Sequence, residues 1–214
     1  MSSSTLTERG QRTRERLLDA ARDLIVAGDG DCAFADVAAR AEVSAGAPYR
    51  YFPSKSALLV AVVERFFDAL EAEAYRPRFE DAAGSWWQGE RMRISRYIEV
   101  FHTDPLGALV VRGLASDPEV ARTVRQRLDK QSRGAARNIR RGQTLGYVAP
   151  GLDPALTGAL LMGGIYQALA VGLAETRPDR ERWLTKEIEG FMAKVVELRE
   201  DEKWNEAKSS SSST

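Results

Sequence analysis

Val43-Ser44-Ala45-Gly46-Ala47-Pro48-Tyr49-Arg50-Tyr51-Phe52-Pro53-Ser54-Lys55 is the stretch on which the fold turns. Ser44 is a residue type that caps helix starts, and the short run after it reaches about Tyr51 before Phe52-Pro53-Ser54 breaks it. Ser54 can then cap a long helix from Lys55 to about Tyr75. Upstream, about Phe34 to Arg40 reads as another short helix, and Glu42-Val43-Ser44 is the turn between the two. Two short helices joined by so tight a turn have the proportions of a helix-turn-helix. No acidic residue lies between Val43 and Val63, whereas Arg50 and Lys55 supply positive charge.

Further outward, helical spacing continues. Leu17, Leu18, Ala21, Leu24 and Ile25 recur at three and four residues within Thr7 to Ala27, giving one apolar stripe. Thr5 with Glu8 forms a candidate capping box at its start, and Gly28 and Gly30 end it. Beyond Tyr75, breaks at Pro77, Gly84, Asp104-Pro105, Asp117-Pro118, Gly142 to Pro154 and Arg177-Pro178 separate stretches of helix length. Strand-like alternation and internal repeats are not evident. The expected fold is therefore all-α. An N-terminal three-helix domain over 1–56 is joined by a long helix to a larger helical domain over 57–204, and 205–214 is a low-complexity, disordered tail.

Composition sets limits on function. A hydrophobic fraction of 43% is enough for a core, so wholesale disorder is excluded. The 31 basic and 31 acidic residues cancel, so any attraction to nucleic acid must come from local charge. One cysteine, Cys32, leaves no intramolecular disulfide and suits a reducing cytoplasm. The single histidine, His102, offers no metal cluster, and no metal or cofactor is expected. Neither a phosphate loop, a nucleophile elbow nor a zinc-type histidine pair is present, so no catalytic residues are assigned and an enzyme is not expected. The polar start of the chain does not read as a signal peptide. Ala155 to Ala174 is uncharged and long enough to span a bilayer, but its glycines and alanines suit close helix packing, so a buried helix is expected and no membrane partner.

In a helix-turn-helix, the residues at the start of the second helix meet base edges in the major groove. Ser44, Ala45, Gly46 and Ala47 are short enough for close approach. Tyr49 and Tyr51 can donate hydroxyl hydrogen bonds to phosphates, and the start of the Lys55 helix offers free backbone N–H groups.

The whole run from Val43 to Lys55, followed by Ala57-Leu58-Leu59, resembles the signature of the tetracycline-repressor (TetR) family. Asp36-Val37-Ala38-Ala39-Arg40-Ala41 is similar to that family's second helix, and Arg14 to Ala27 to its first, so the specific likeness covers about residues 11 to 70. It implies a cytoplasmic dimer that binds double-stranded DNA, probed by its paired heads on a palindromic site, and a small-molecule effector that releases it. By the same resemblance Tyr49 and Lys55 contact phosphates, Ser44 caps the recognition helix, and Ala45, Ala47, Pro48 and Arg50 face the groove. The fork of Arg50 matches guanine O6 and N7. Phe52, Val37 and Val43 are expected in the core. Two positions depart from the family pattern. Glu42 stands where a glycine is usual, in a turn that often needs positive φ, at a cost of about 1 kcal/mol. Cys32-Ala33 replaces the threonine that commonly caps the second helix.

The resemblance implies that the larger domain binds effector and dimerises. Ala155 to Ala174 and Glu181 to Leu198, the latter with Trp183, Leu184, Ile188, Phe191, Val195 and Leu198 on one stripe, can pair with their symmetry mates as a four-helix interface. Candidate pocket residues are Trp86, Trp87, Met92, Tyr97, Phe101 and His102, with Met162 and Tyr166. Glu119 to Arg141 carries eight basic residues against two acids, either as a solvated face or as an aid to admitting an anionic effector.

Overall fold

The computed structural model describes residues 7–28, 30–76, 79, 84–112, 114 and 117–198. Among them are nine helices and no strand: α1 (Glu8–Ala27), α2 (Phe34–Arg40), α3 (Ala47–Tyr51), α4 (Lys55–Ala74), α5 (Trp86–Thr103), α6 (Pro105–Arg112), α7 (Pro118–Thr144), α8 (Pro154–Gly172) and α9 (Arg180–Val195). The chain divides into two compact units. One comprises Met1–Glu71 with Val100–Arg127, the other Ala72–Glu99 with Leu128–Thr214. In this grouping α6 and the ends of α5 and α7 lie with the first unit. The low-complexity tail, 205–214, and Thr5 lie outside the described residues.

In the first unit α1 is capped by Thr7, whose Oγ1 accepts the Gly10 N–H at 3.2 Å. Leu17, Leu18, Ala21 and Ile25 are buried along its expected stripe. At its end Gly30, with φ +107°, lets its N–H reach the Ile25 carbonyl at 2.8 Å, a conformation costly for any residue with a Cβ. α2 buries Phe34, Val37 and Ala38. As expected from Ala33, no side chain caps its start. α4 contributes Leu58, Leu59, Val62, Val63, Phe67 and Leu70 to the core. Phe66 packs edge-on to Phe101 at 5.1 Å. Arg22 of α1 and Asp104, before α6, form an ion pair at 2.8 Å, and the Asp104 carboxylate also accepts the Leu106 N–H.

In the second unit the expected uncharged helix is α8. Asp153 caps it, accepting the Leu156 N–H at 2.7 Å, and Pro154 opens it. By length and composition α8 could cross a membrane. Here Thr157, Gly158, Leu161, Ile165 and Leu169 are buried in the unit. A Cβ on Gly158 would stand 2.8 Å from the Ala136 backbone nitrogen, so the glycine is what lets α8 lie against α7. Leu184 of α9 covers Gly172, and the ring of Phe191 covers Gly164. The expected buried helix is buried on this face, while Leu156, Leu160 and Val171 are 62%, 60% and 54% exposed in the single chain. They share the outer side of α8 because a helix turns 100° per residue, and the buried set takes the inner side.

Candidate nucleic-acid interface and effector cavity

The turn between α2 and α3 is built by three backbone features. Glu42 has φ +52°, its N–H bonds the Ala39 carbonyl at 3.1 Å, and the Val43 N–H bonds that of Ala38 at 3.0 Å. This pair of bonds is a Schellman ending, and Glu42 occupies the left-handed position that glycine usually fills. Arg16 of α1 braces the turn by donating to the carbonyls of Ala41 and Glu42. The chain then re-enters helix at Ala47, whose N–H bonds the Ser44 carbonyl at 2.8 Å. Ser44 was expected to cap α3 with its side chain. The N-cap is instead Gly46, with no side-chain bond, because a further turn separates Ser44 from the helix.

Of the residues assigned to DNA, Ser44, Ala45, Tyr49, Arg50 and Lys55 are exposed, and Ala47 and Tyr51 are partly so. Tyr49 is 64% exposed yet held edge-on against Phe34 at 4.7 Å. Pro48 is buried, so it supports α3 instead of presenting a surface. Phe52 and Val37 are buried as expected, and Val43 is half-buried. Ser54 caps α4 through the Ala57 N–H at 3.1 Å.

Three arginines escaped the sequence reading. Arg9, Arg12 and Arg16 line one side of an open groove whose other side holds Ser44, Ala47 and Arg50. All three point away from the buried stripe of α1 and are exposed. The signal was their three- and four-residue spacing opposite Leu17 and Leu18. Around Lys55 the structure adds two acids. Its ammonium pairs with Asp31, and Ser56 beside it donates to Asp117 at 2.5 Å. The bond from Lys55, and then the Cys32 N–H, hold the Asp31 carboxyl below its ordinary value, and the same pair raises Lys55.

The second unit contains a cavity of about 50 Å³. Its mainly apolar lining includes Ile94, Ala135, Leu161, Met162, Ile165 and Met192, and Tyr75, Glu90, Arg93, Tyr97 and Asn138 also border it. Only Tyr97 and Met162 of the eight expected pocket residues line it. Tyr166 lies close enough to Tyr97 to help raise its pKa, and burial pushes Tyr166 itself up to about 12. Trp86 is core, stacked on Tyr147 at 6.0 Å, with half-buried Trp87 beside it, and Met92 is exposed. Phe101 and His102 fall in the other unit, where Phe101 packs on Phe66. The sequence reading grouped these aromatics by proximity along the chain, whereas burial selects a face. Glu90 and Arg93 were missed, although both fall on the α5 face that Ile94 and Tyr97 make apolar, where a charge calls for explanation. On α7 the basic residues Arg133, Arg137 and Arg140 are exposed on the side opposite Ala135 and Asn138, so they do not open onto this cavity.

The first unit thus carries a helix-turn-helix beside an open groove, and the second a small, mainly apolar cavity. The profile of the family described as "Bacterial regulatory proteins, tetR family" matches residues 17–62. That match spans the helix-turn-helix of the first unit. It is 33% identical over 108 residues to the HTH-type transcriptional repressor KstR of Mycolicibacterium smegmatis, a match covering 50% of this chain and 52% of that protein. The chain thus spans about half the length of the curated relatives it matches. Among solved structures, a TetR-family transcriptional regulator from Pectobacterium atrosepticum is similar with a TM-score of 0.67 at 24% identity, over 89% of this chain and 98% of that one. SmeT, the repressor of the Stenotrophomonas maltophilia multidrug efflux pump SmeDEF, gives 0.70 at 20%, over 87% and 91%. At these identities the structural likeness speaks for the fold.

Proposed function

We propose that the chain is a cytoplasmic transcriptional repressor that binds a palindromic DNA site as a homodimer and leaves it when a small molecule enters the second unit. The observation that carries this reading is the exposed start of α3 facing Arg9 and Arg12 across one groove. A major groove is about 12 Å wide and admits one helix, with flanking cations on phosphates. In this reading Ala45, Ala47 and Arg50 meet base edges, and Tyr49, Tyr51 and Lys55 hold phosphates. Ser44 and Arg16 keep the turn in shape. Phosphate takes the place of Asp31 at Lys55.

The dimer is supported by Leu156, Leu160 and Val171 of α8 with Phe191 of α9, all more than 40% exposed in the single chain. Apolar side chains in one such face favour a partner, and twofold pairing sets two heads about 34–36 Å apart, one turn of duplex. Effector acts by stabilising a conformation whose heads are misaligned for that spacing, so DNA and effector weaken each other's binding reciprocally.

The test is selection of bound duplexes from a random library, followed by affinity measurement at two salt concentrations. A palindrome should emerge, with binding steeply salt-dependent and lost in Tyr49→Ala or Lys55→Ala. Weak binding without sequence preference would instead favour a helical ligand-binding or interaction protein with a degenerate head. The acid at Glu42 beside the groove is the feature that would suit that alternative.

A further inference from the structure

Glu42 is the one carboxylate among the described residues that line the groove of the first unit, where the other charged side chains are Arg9, Arg12, Arg16 and Arg50. It is exposed, and among the described residues its side chain forms no hydrogen bond or ion pair. The residue is held by its backbone. Its φ is +52°, its N–H bonds the Ala39 carbonyl at 3.1 Å, and its own carbonyl accepts from Arg16 Nη2 at 3.2 Å. A glycine would meet all three demands with less strain, since none of them uses the side chain. The carboxylate is therefore available to whatever fills the groove, and the fixed backbone limits where it can reach.

A duplex in that groove offers a carboxylate few favourable contacts. Phosphates repel it, and so do guanine O6 and N7 and thymine O4, which are all acceptors. In the major groove the donors are the exocyclic amines, cytosine N4 and adenine N6. Adenine sets its N7 acceptor beside N6, so a group that can only accept meets repulsion there as well. The cytosine amine carries no such neighbour on its own base. Arg50 supplies the complementary reader in the same groove, because its fork matches guanine O6 and N7 and every such guanine is paired with a cytosine. A charge that one base relieves and the others do not is a means of discrimination. It weakens binding to wrong sequences more than it strengthens binding to the right one.

We infer that Glu42 is a specificity-determining residue: its carboxylate accepts from the N4 amine of one cytosine in each half-site and penalises guanine or thymine at that position. Glu42 acts in this way on the reading that the groove is the DNA interface. The strained backbone then has a return in function, since a glycine at this position would relieve the strain and lose the reader.

The test uses the full chain and selects bound duplexes from a random library with the unaltered protein, Glu42→Gly and Glu42→Gln. The unaltered protein should select cytosine at one position of each half-site. Glu42→Gly should keep the rest of the palindrome and lose the preference at that position. On the best duplex of the unaltered protein it should bind about ten-fold more weakly. On a duplex of unrelated sequence it should bind about two- to five-fold more tightly at low salt, because a repelling charge has gone. These shifts run in opposite directions, which a variant that merely unfolds cannot imitate. Glu42→Gln keeps the Cβ and the length of the side chain, so it separates charge from backbone. Able to donate as well as accept, it should move the preference toward adenine, whose N6 and N7 it matches. Tighter binding of both duplexes by Glu42→Gly, or an unaltered preference in both variants, would overturn the proposal and leave Glu42 as a repelling charge alone. An unaltered protein that selects no palindrome would remove the DNA-binding reading, and this role of Glu42 with it.

Discussion

Lys55 holds Asp31 where, in the proposed complex, a phosphate oxygen would sit. The carboxylate is a tethered competitor, present at an effective concentration that free phosphate must exceed. Because the Asp31 carboxyl is held below its ordinary value by that same bond, it stays ionised at any pH at which the protein would meet DNA. Asp31→Asn keeps an acceptor for the Cys32 N–H while removing the charge. It should tighten binding to any duplex by about two- to five-fold at low salt, with the gain shrinking as salt rises. Equal affinities for variant and parent across the salt range would show that Lys55 does not reach phosphate. The pair was not legible in the sequence. Asp31 stands before α2 and Lys55 opens α4, and nothing in local spacing says that the start of α4 comes back to the start of α2.

At the scale of elements, helix endings carry the clearest link between sequence and shape. α2, α7 and α9 all end on the same two-bond pattern, with Glu42, Gly146 and Glu197 respectively at the left-handed position. Gly146 takes φ +86° freely, whereas the two glutamates carry a Cβ into a region that disfavours it. Glu42→Gly should therefore raise stability by about 1 kcal/mol, seen as a higher urea midpoint at an unchanged slope. A lower midpoint would mean that the Glu42 side chain contributes more than its backbone costs. The need for positive φ at this position was legible from the family pattern, and the missing cap at Ala33 from residue type alone. The cap on α3 was not, since Ser44 has the right chemistry and only the path of the backbone removes it from the helix start.

At the scale of the whole molecule, burial sets a titration that no single helix predicts. Tyr166 is pushed up to about 12 and buried Tyr97 is also raised, both by desolvation of the phenolate. A raised value means that the fold favours the protonated phenol. That stabilisation is complete below the ordinary value of 10.0 and is lost as pH climbs through about 12. Tyr166→Phe should flatten the decline of the urea midpoint between these limits, with up to about 2 kcal/mol at stake, and parallel declines would show the phenol already in water. By itself the sequence determined the all-α class, most helix positions and the helix-turn-helix. Those depend on apolar spacing, caps and breakers within a few residues of one another. Only the tertiary structure decided the pairing of Asp31 with Lys55, the assignment of Phe101 and His102 to the first unit, and the cavity ringed by Glu90, Arg93 and Asn138. Each requires helices distant in sequence to present particular faces to one another, and the spacing along a helix reveals that it has a buried face without revealing what that face will meet.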